Sequence, residues 1–168
     1  AVAALRETYP RPFFSSVMNL LGGHDRARII DGLADAGVET LARAEREAHA
    51  LTKEQRELGV QRTRMMLRVI ACLPGMPCIY YGDEAGMTGY RDPFNRAYYP
   101  WGKEDLALQG HYRALARLKS QSQALRRGSV EVLEAQAGHF VFRRRSGTGG
   151  ITLWCNPSPL PCHTRPPA

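Results

Sequence analysis

Two clusters of polar residues sit directly behind apolar runs in this chain. His24-Asp25 follows the run Phe13 to Leu21 through Gly22-Gly23, and Gly82-Asp83-Glu84 follows Pro77-Cys78-Ile79-Tyr80-Tyr81 and opens a loop holding Asp92, Arg96 and Trp101. An imidazole beside a carboxylate can hydrogen-bond a polar partner, and a carboxylate and a guanidinium can both hydrogen-bond hydroxyls. Tyr90, Tyr98, Tyr99 and Trp101 add apolar faces close by. Asp83-Glu84 suits such chemistry less well. Neighbouring side chains in extended backbone point to opposite faces, so a cap or an arginine partner fits this pair better than a shared reacting centre. Taken alone, a His-Asp pair after two glycines is more often a turn or a helix cap, and Asp92 with Arg96 could simply pin their own loop.

The elements that must position these groups are legible from period and punctuation. Residues 1–9 read as the end of a helix closed by Tyr9-Pro10-Arg11-Pro12, and Phe13 to Leu21 reads as a strand. Arg26 to Gly32 reads as a loop or helical turn, and Leu41 to His49 as a short helix. Thr52 and Gln55 have capping-box spacing ahead of a helix that runs to Leu73, with Leu58, Met66, Val69, Ile70 and Leu73 on its inner side and Pro74-Gly75 ending it. A second strand over Pro77 to Tyr81 gives way to the loop 82–104, and such long loops tend to be functional. A helix follows from Asp105 to Ser120, with Leu108, Tyr112, Leu115 and Leu118 inward. Two strands, each emptying into a polar loop and separated by a long helix, read as consecutive βα units. From Ser129 the pattern becomes short strands around Val130 to Glu134, Gly138 to Phe142 and Ile151 to Trp154. Residues 156–168 carry too many prolines for a paired strand.

Composition narrows the classes. The net charge is +7, yet the arginines are scattered and the densest run is Arg143-Arg144-Arg145, without the interleaved aromatics of a nucleic-acid platform. No nucleic-acid partner is expected. No stretch of 18 or more apolar residues suggests a membrane span, and no signal-peptide pattern opens the chain, which fits a cytoplasmic protein. Cys72, Cys78, Cys155 and Cys162 lack metal-ligand spacing, Cys72 and Cys78 reading as buried thiols. His111, His139 and His163 stand apart, so no metal site is expected.

Several stretches together carry a resemblance. Met18-Asn19-Leu20-Leu21-Gly22-Gly23-His24-Asp25, then Gly75-Met76-Pro77-Cys78-Ile79-Tyr80-Tyr81-Gly82-Asp83-Glu84-Ala85-Gly86-Met87, resemble the α-amylase family of glycoside hydrolases. Asp92-Pro93-Phe94-Asn95-Arg96 with Tyr99-Pro100-Trp101 is similar to its neopullulanase and cyclomaltodextrinase branch, and the resemblance runs in order over roughly residues 5 to 127.

The resemblance implies an α/β fold: residues 1–127 as the C-terminal portion of a (β/α)8 TIM barrel, its last two βα units, and 128–168 as the truncated start of an all-β sandwich domain. A complete barrel typically needs about 250 residues, so 168 residues with an opening that reads as mid-helix suggest a fragment. Retaining glycosidases use one carboxylate as nucleophile and one carboxylic acid as proton donor. The family adds a third carboxylate, and Asp25 matches it as transition-state stabiliser; His24 matches its sugar-binding neighbour, and Asp92 and Arg96 match a substrate-subsite loop. The nucleophile Asp and acid/base Glu belong to upstream strands, so the chain alone is expected to be inactive. The implied partner is an α-glucan or maltooligosaccharide, with no cofactor and with a homodimeric parent allowed. A sucrose- or trehalose-active relative and a non-catalytic barrel remnant that binds sugars or partners stay open as alternatives.

Overall fold

The computed structural model describes residues 4, 7–34, 42–48, 50–136 and 138–158. The order of elements is α1 (Arg11–Ser16), β1 (Met18–Leu20), α2 (Ile29–Ala34), α3 (Arg43–Ala48), α4 (Lys53–Cys72), β2 (Met76–Cys78), α5 (Leu106–Gln121), α6 (Gln123–Arg127), β3 (Ser129–Gln136), β4 (His139–Ser146) and β5 (Gly149–Cys155). β1 and β2 form a two-stranded sheet, and β3-β4-β5 form a second sheet in that order. The chain divides into two compact units, one of residues 1–19, 68–77 and 116–168, the other of residues 20–67 and 78–115.

In the first unit, the strand expected over Phe13 to Leu21 is instead a helix, α1, followed by three strand residues. Proline explains the change. Pro10 occupies the N-cap position with φ −55° and Pro12 lies in the first turn, where a missing N–H costs nothing and the fixed φ already suits a helix. The Phe14 amide then donates to the Pro10 carbonyl at 3.1 Å, and the Ser16 hydroxyl donates to the Pro12 carbonyl at 2.8 Å. The apolar run is therefore helical over its first half and extended only at Met18–Leu20.

The three-stranded sheet is antiparallel, pairing Val130 with Arg144 and Phe142 with Leu153, and a register shift between Val132 and Glu134 marks a bulge. Cys72, Leu125, Val130 and Phe142 make its buried core, packed by Phe14, Leu73, Phe140, Ile151 and Leu153. Arg144 is inside this unit at 2% exposure. Its guanidinium donates to the carbonyls of Cys72 (2.8 Å), Gly128 (3.0 Å) and Ser129 (3.3 Å), which satisfies the buried charge with backbone dipoles. Lys119 donates to the Leu73 carbonyl at 2.6 Å, and burial, with Arg144 nearby, pushes its ammonium down to about 8. Both cations meet the carbonyl end of α4, where positive charge is favoured.

In the second unit, α4 begins as its capping box requires: the Thr52 amide donates to Gln55 Oε1 at 2.9 Å and the Gln55 amide to Thr52 Oγ1 at 3.2 Å. Gly59 lets α2 approach α4, since a Cβ there would lie 2.5 Å from the Ile30 carbonyl oxygen and 3.1 Å from Ala34 Cβ. Ile30, Thr63 and Leu108 are fully buried. Asp105 caps α5 by accepting from the Leu108 amide at 2.9 Å. Leu58 and Leu118, expected inward, are exposed, because the buried faces of their helices run through Val60, Thr63 and Leu67 and through Leu108 and Tyr112. The second strand stops at Cys78 instead of continuing to Tyr81. Cys162, His163 and the rest of 159–168 lie outside the described residues, as do Leu41 and His49 at the ends of the expected short helix.

Candidate functional site

The four residues singled out for chemistry come together in the second unit. His24 Nε2 lies 3.1 Å from Asp25 Oδ2, Arg96 Nη2 lies 3.8 Å from Asp25 Oδ1, and Arg96 Nε lies 3.1 Å from Asp92 Oδ1. Arg96 Nε also donates to the His24 carbonyl at 3.4 Å. The result is a continuous line His24, Asp25, Arg96, Asp92 along one surface. Its members are open to solvent, with side-chain exposures of 70% and 75% for His24 and Asp25. Exposed pairs of this kind contribute about 0–1 kcal/mol to stability. Holding the fold together therefore does not account for the line.

The fold-holding work falls to buried residues beneath it. Arg28 is 1% exposed; its guanidinium pairs with Asp83 Oδ1 at 3.1 Å, and donates to the Asn95 carbonyl at 2.8 Å and to the Tyr81 carbonyl. It lies 4.4 Å and 4.6 Å from the ring centres of Tyr80 and Tyr81, so the faces without hydrogen bonds meet aromatic electrons. Burial pushes the Asp83 carboxyl up to about 6, with the hydrogen bond and charge of Arg28 opposing the shift and Glu84 and Asp31 reinforcing it. Gly22 makes room for this pair, since a Cβ there would stand 2.5 Å from Asp83 Oδ2.

Asn95, fully buried in the short 3₁₀ turn Phe94–Arg96, closes the arrangement. Its amide nitrogen donates to the carbonyls of His24 and Arg26 at 2.7 Å each, fastening the loop that carries His24-Asp25 to the loop that carries Asp92 and Arg96. Asp31 accepts from the Gly89 amide at 2.9 Å and anchors the start of that second loop.

Asp83 thus takes an arginine partner, which was one of the two roles read from its position. In the sequence Arg28 is one residue of a loop and Asn95 one residue of the Asp92 to Arg96 motif, and the long-range partners that give both their roles lie 53 to 72 positions away. Doublets such as Tyr80-Tyr81 ahead of a carboxylate could have signalled a buried cation. Of the aromatic residues, Tyr98 and Trp101 are exposed and Tyr99 stacks obliquely on Trp101 at 4.5 Å, whereas Tyr90 is buried and offers no open face. Among the described residues no three His, Cys, Asp or Glu side chains gather where a metal ion could be held.

Comparison with known proteins fits this geometry. The alpha-amylase catalytic domain family matches residues 13–138, more than half of the chain. An amylopullulanase of Thermoanaerobacter thermohydrosulfuricus is 36% identical over 150 residues, covering 89% of this chain and 10% of that protein. A cyclomaltodextrinase of Geobacillus thermopakistaniensis is 30% identical over 168 residues, covering 94% of this chain and 25% of that protein. In fold, a cyclic alpha-maltosyl-(1→6)-maltose hydrolase of Arthrobacter globiformis superposes with a TM-score of 0.71 at 24% identity, over 92% of this chain and 30% of that one. The chain spans about a tenth to a quarter of the length of these two sequence relatives. With the family match covering the two strand-to-loop units and the line of polar residues they carry, the chain belongs to the alpha-amylase catalytic domain family.

Proposed function

We propose that the chain is the C-terminal part of a retaining glycoside hydrolase that acts on α-glucans or maltooligosaccharides. Residues 1–127 form the end of its catalytic barrel and 128–168 the start of a β-domain, a division supported by the change from helix to strand between Arg127 and Ser129. The nucleophile and the acid/base belong to upstream strands, and the chain alone does not hydrolyse glycosides. In support, relatives that are matched over only a tenth or a quarter of their length are named amylopullulanase and cyclomaltodextrinase.

The observation that carries the reading is the exposed line His24, Asp25, Arg96, Asp92. Cleavage of a glycosidic bond passes through an oxocarbenium-like state with positive charge on the ring. Asp25 supplies the opposing charge and accepts hydrogen bonds from ring hydroxyls, which strengthen as that charge builds. His24 holds the same sugar from the adjoining position, and Asp92 and Arg96 hold the next one. Arg96, touching both carboxylates, keeps Asp25 oriented while the ring distorts.

The test is Asp25→Asn in the full-length parent, assayed on a maltooligosaccharide. The variant keeps the volume and loses the charge, so kcat should fall by about 10²–10³-fold or more, as for removal of one electrostatic stabiliser. Hydrolysis near the wild-type rate would reduce Asp25 to a turn residue.

A further inference from the structure

The loop that carries His24 and Asp25 stands on two buried feet. Gly22 and Arg28 are buried, whereas His24, Asp25 and Arg26 between them are exposed. One side chain meets both feet. Asp83 Oδ1 accepts from Arg28 Nη1 at 3.1 Å, and a Cβ on Gly22 would come within 2.5 Å of Asp83 Oδ2. We propose that Asp83 is a positioning residue for Asp25, its ionised carboxylate fixing both ends of the 22–28 loop and with them the place of the Asp25 side chain. This role rests on the function proposed above, in which Asp25 faces the sugar.

The Asp83 side of the device is built locally. Gly82, at φ +82°, makes a turn in which the Asp83 amide donates to the Tyr80 carbonyl at 3.1 Å and the Ala85 amide to the Gly82 carbonyl at 3.0 Å. The carboxylate therefore starts from a fixed backbone. On the other side, the remaining bonds of the Arg28 guanidinium go to the backbone carbonyls of Tyr81 and Asn95, so Asp83 is its one ion-pair partner among the described residues. A bond between charged groups is about twice as strong as a neutral one. The charge on Asp83 thus decides whether the guanidinium is drawn to the carboxylate or shared among the carbonyls.

Stability does not account for that charge. Burial holds the Asp83 carboxyl up to about 6 against an ordinary 3.8, in spite of Arg28, so at neutral pH the fold carries an ion that a neutral side chain of the same shape would spare it. The surroundings add to the cost. Glu84 in the same turn and Asp31 on α2 contribute further negative charge. Tyr112 on α5 stays protonated, its hydroxyl pushed up by burial and by Asp83 and Glu84. Arg28, flanked by the rings of Tyr80 and Tyr81, is the group that favours the ion. Stability is given up here for geometry.

The experiment follows kcat and KM on a maltooligosaccharide, together with melting temperature, in the full-length parent from below to above about pH 6. Its variants are Asp83→Asn, Gly22→Ala and Asp25→Asn. Asp83→Asn keeps the shape and removes the charge, whereas Gly22→Ala keeps the charge and drives a methyl against the carboxylate. Above about pH 6 both should lower kcat by about tenfold, less than the roughly 10²-fold cost of a full ångström of misplacement, with KM within about twofold. As pH falls through about 6, kcat of the unaltered protein should drop toward that of Asp83→Asn, because protonation removes the same charge, while its melting temperature rises relative to the variant. A carboxylate that only held the fold would move turnover and stability in the same direction. Unchanged kcat in either variant, or kcat and melting temperature falling together in Asp83→Asn, would overturn the positioning role; should Asp83→Asn fail to fold, Gly22→Ala decides alone. If Asp25→Asn has lost its turnover, those results leave the function proposed above intact. Wild-type turnover by Asp25→Asn would overturn both.

Discussion

Asn95 Nδ2 donates to the carbonyl oxygen of His24 at 2.7 Å across 71 positions of sequence. One buried amide thereby sets the backbone of the His24-Asp25 loop from within the Asp92 to Arg96 loop, and its second bond, to the Arg26 carbonyl, has the same length. The two halves of the polar line are registered by a fully buried residue.

Asn95→Asp isolates this role, because it preserves shape and replaces the donor with an acceptor facing two carbonyls. Each buried carbonyl left without its donor costs about 1–3 kcal/mol. The variant should melt several degrees lower. In the full-length parent it should lower kcat more than it raises KM, since the loop that carries Asp25 is displaced while Arg96 and Asp92 can still hold a sugar. A Tm equal to that of the unaltered protein would show that Asn95 does not tie the loops.

What the sequence could disclose depended on how local the cause was. The helix Lys53–Cys72 was legible because its cap is two residues apart by three positions and its stop is Pro74-Gly75. The three strands after Ser129 were legible because glycines punctuate alternating runs. The helix over Arg11–Ser16 was not, since its apolar residues are consistent with either period and only the two prolines distinguish them. Asp25 and Arg96 could be paired as motif members, but the partnership of Arg28 with Asp83 spans 55 positions, and its one local trace is the Tyr80-Tyr81 doublet whose rings cover the guanidinium. Asn95 is the clearest case: nothing in its neighbours says that it reaches back to His24.

Asp83 gives the second unit a pH signature. Its carboxyl stands at about 6 in the fold against an ordinary value of 3.8, raised by burial. A raised acid holds its proton longer in the folded chain, so its contribution to stability is fully present below about pH 3.8 and is lost as pH rises through about 6. Asp83→Asn removes the titration and keeps an oxygen for Arg28. Thermal melts at pH 4 and pH 7 should therefore show the variant gaining on the unaltered chain as pH rises, by on the order of 1–3 kcal/mol. A gap that stays constant, or moves the other way, would mean that the Arg28 charge outweighs burial at this carboxyl.

The small sheet of β1 and β2 predicts how the chain behaves in solution. Met18, Leu20 and Met76 on its strands, and Ile79 just beyond, are exposed. Apolar strand residues open to water invite pairing with another chain. The chain expressed alone should self-associate in a concentration-dependent way, and Leu20→Lys should shift its elution toward the monomer. Monomeric elution of the unaltered chain at about 100 μM, well into the concentration range where exposed edges associate, would show that this surface is already protected.

If the proposed roles hold, Arg96 separates binding from chemistry. Its guanidinium bridges Asp92 and Asp25, so two effects compete when it is removed: lost contacts to sugar hydroxyls, which act on ground state and transition state alike, and a loosened Asp25, which acts on kcat. The distances decide in favour of the first. Arg96 lies 3.1 Å from Asp92 but 3.8 Å from Asp25, and Asp25 has a second partner in His24 at 3.1 Å. In the full-length parent, Arg96→Ala should raise KM for a maltooligosaccharide by about tenfold, the value of one charged hydrogen bond, with a smaller loss in kcat. Among cyclodextrin, pullulan and starch the preference should shift. The double variant Asp92→Ala, Arg96→Ala discriminates further, because a pair that only pins its loop predicts equal losses on every substrate, whereas sugar-holding residues predict losses that differ with the chain presented to them. Equal losses on two substrates would remove both residues from the site and leave His24 and Asp25 as its only members.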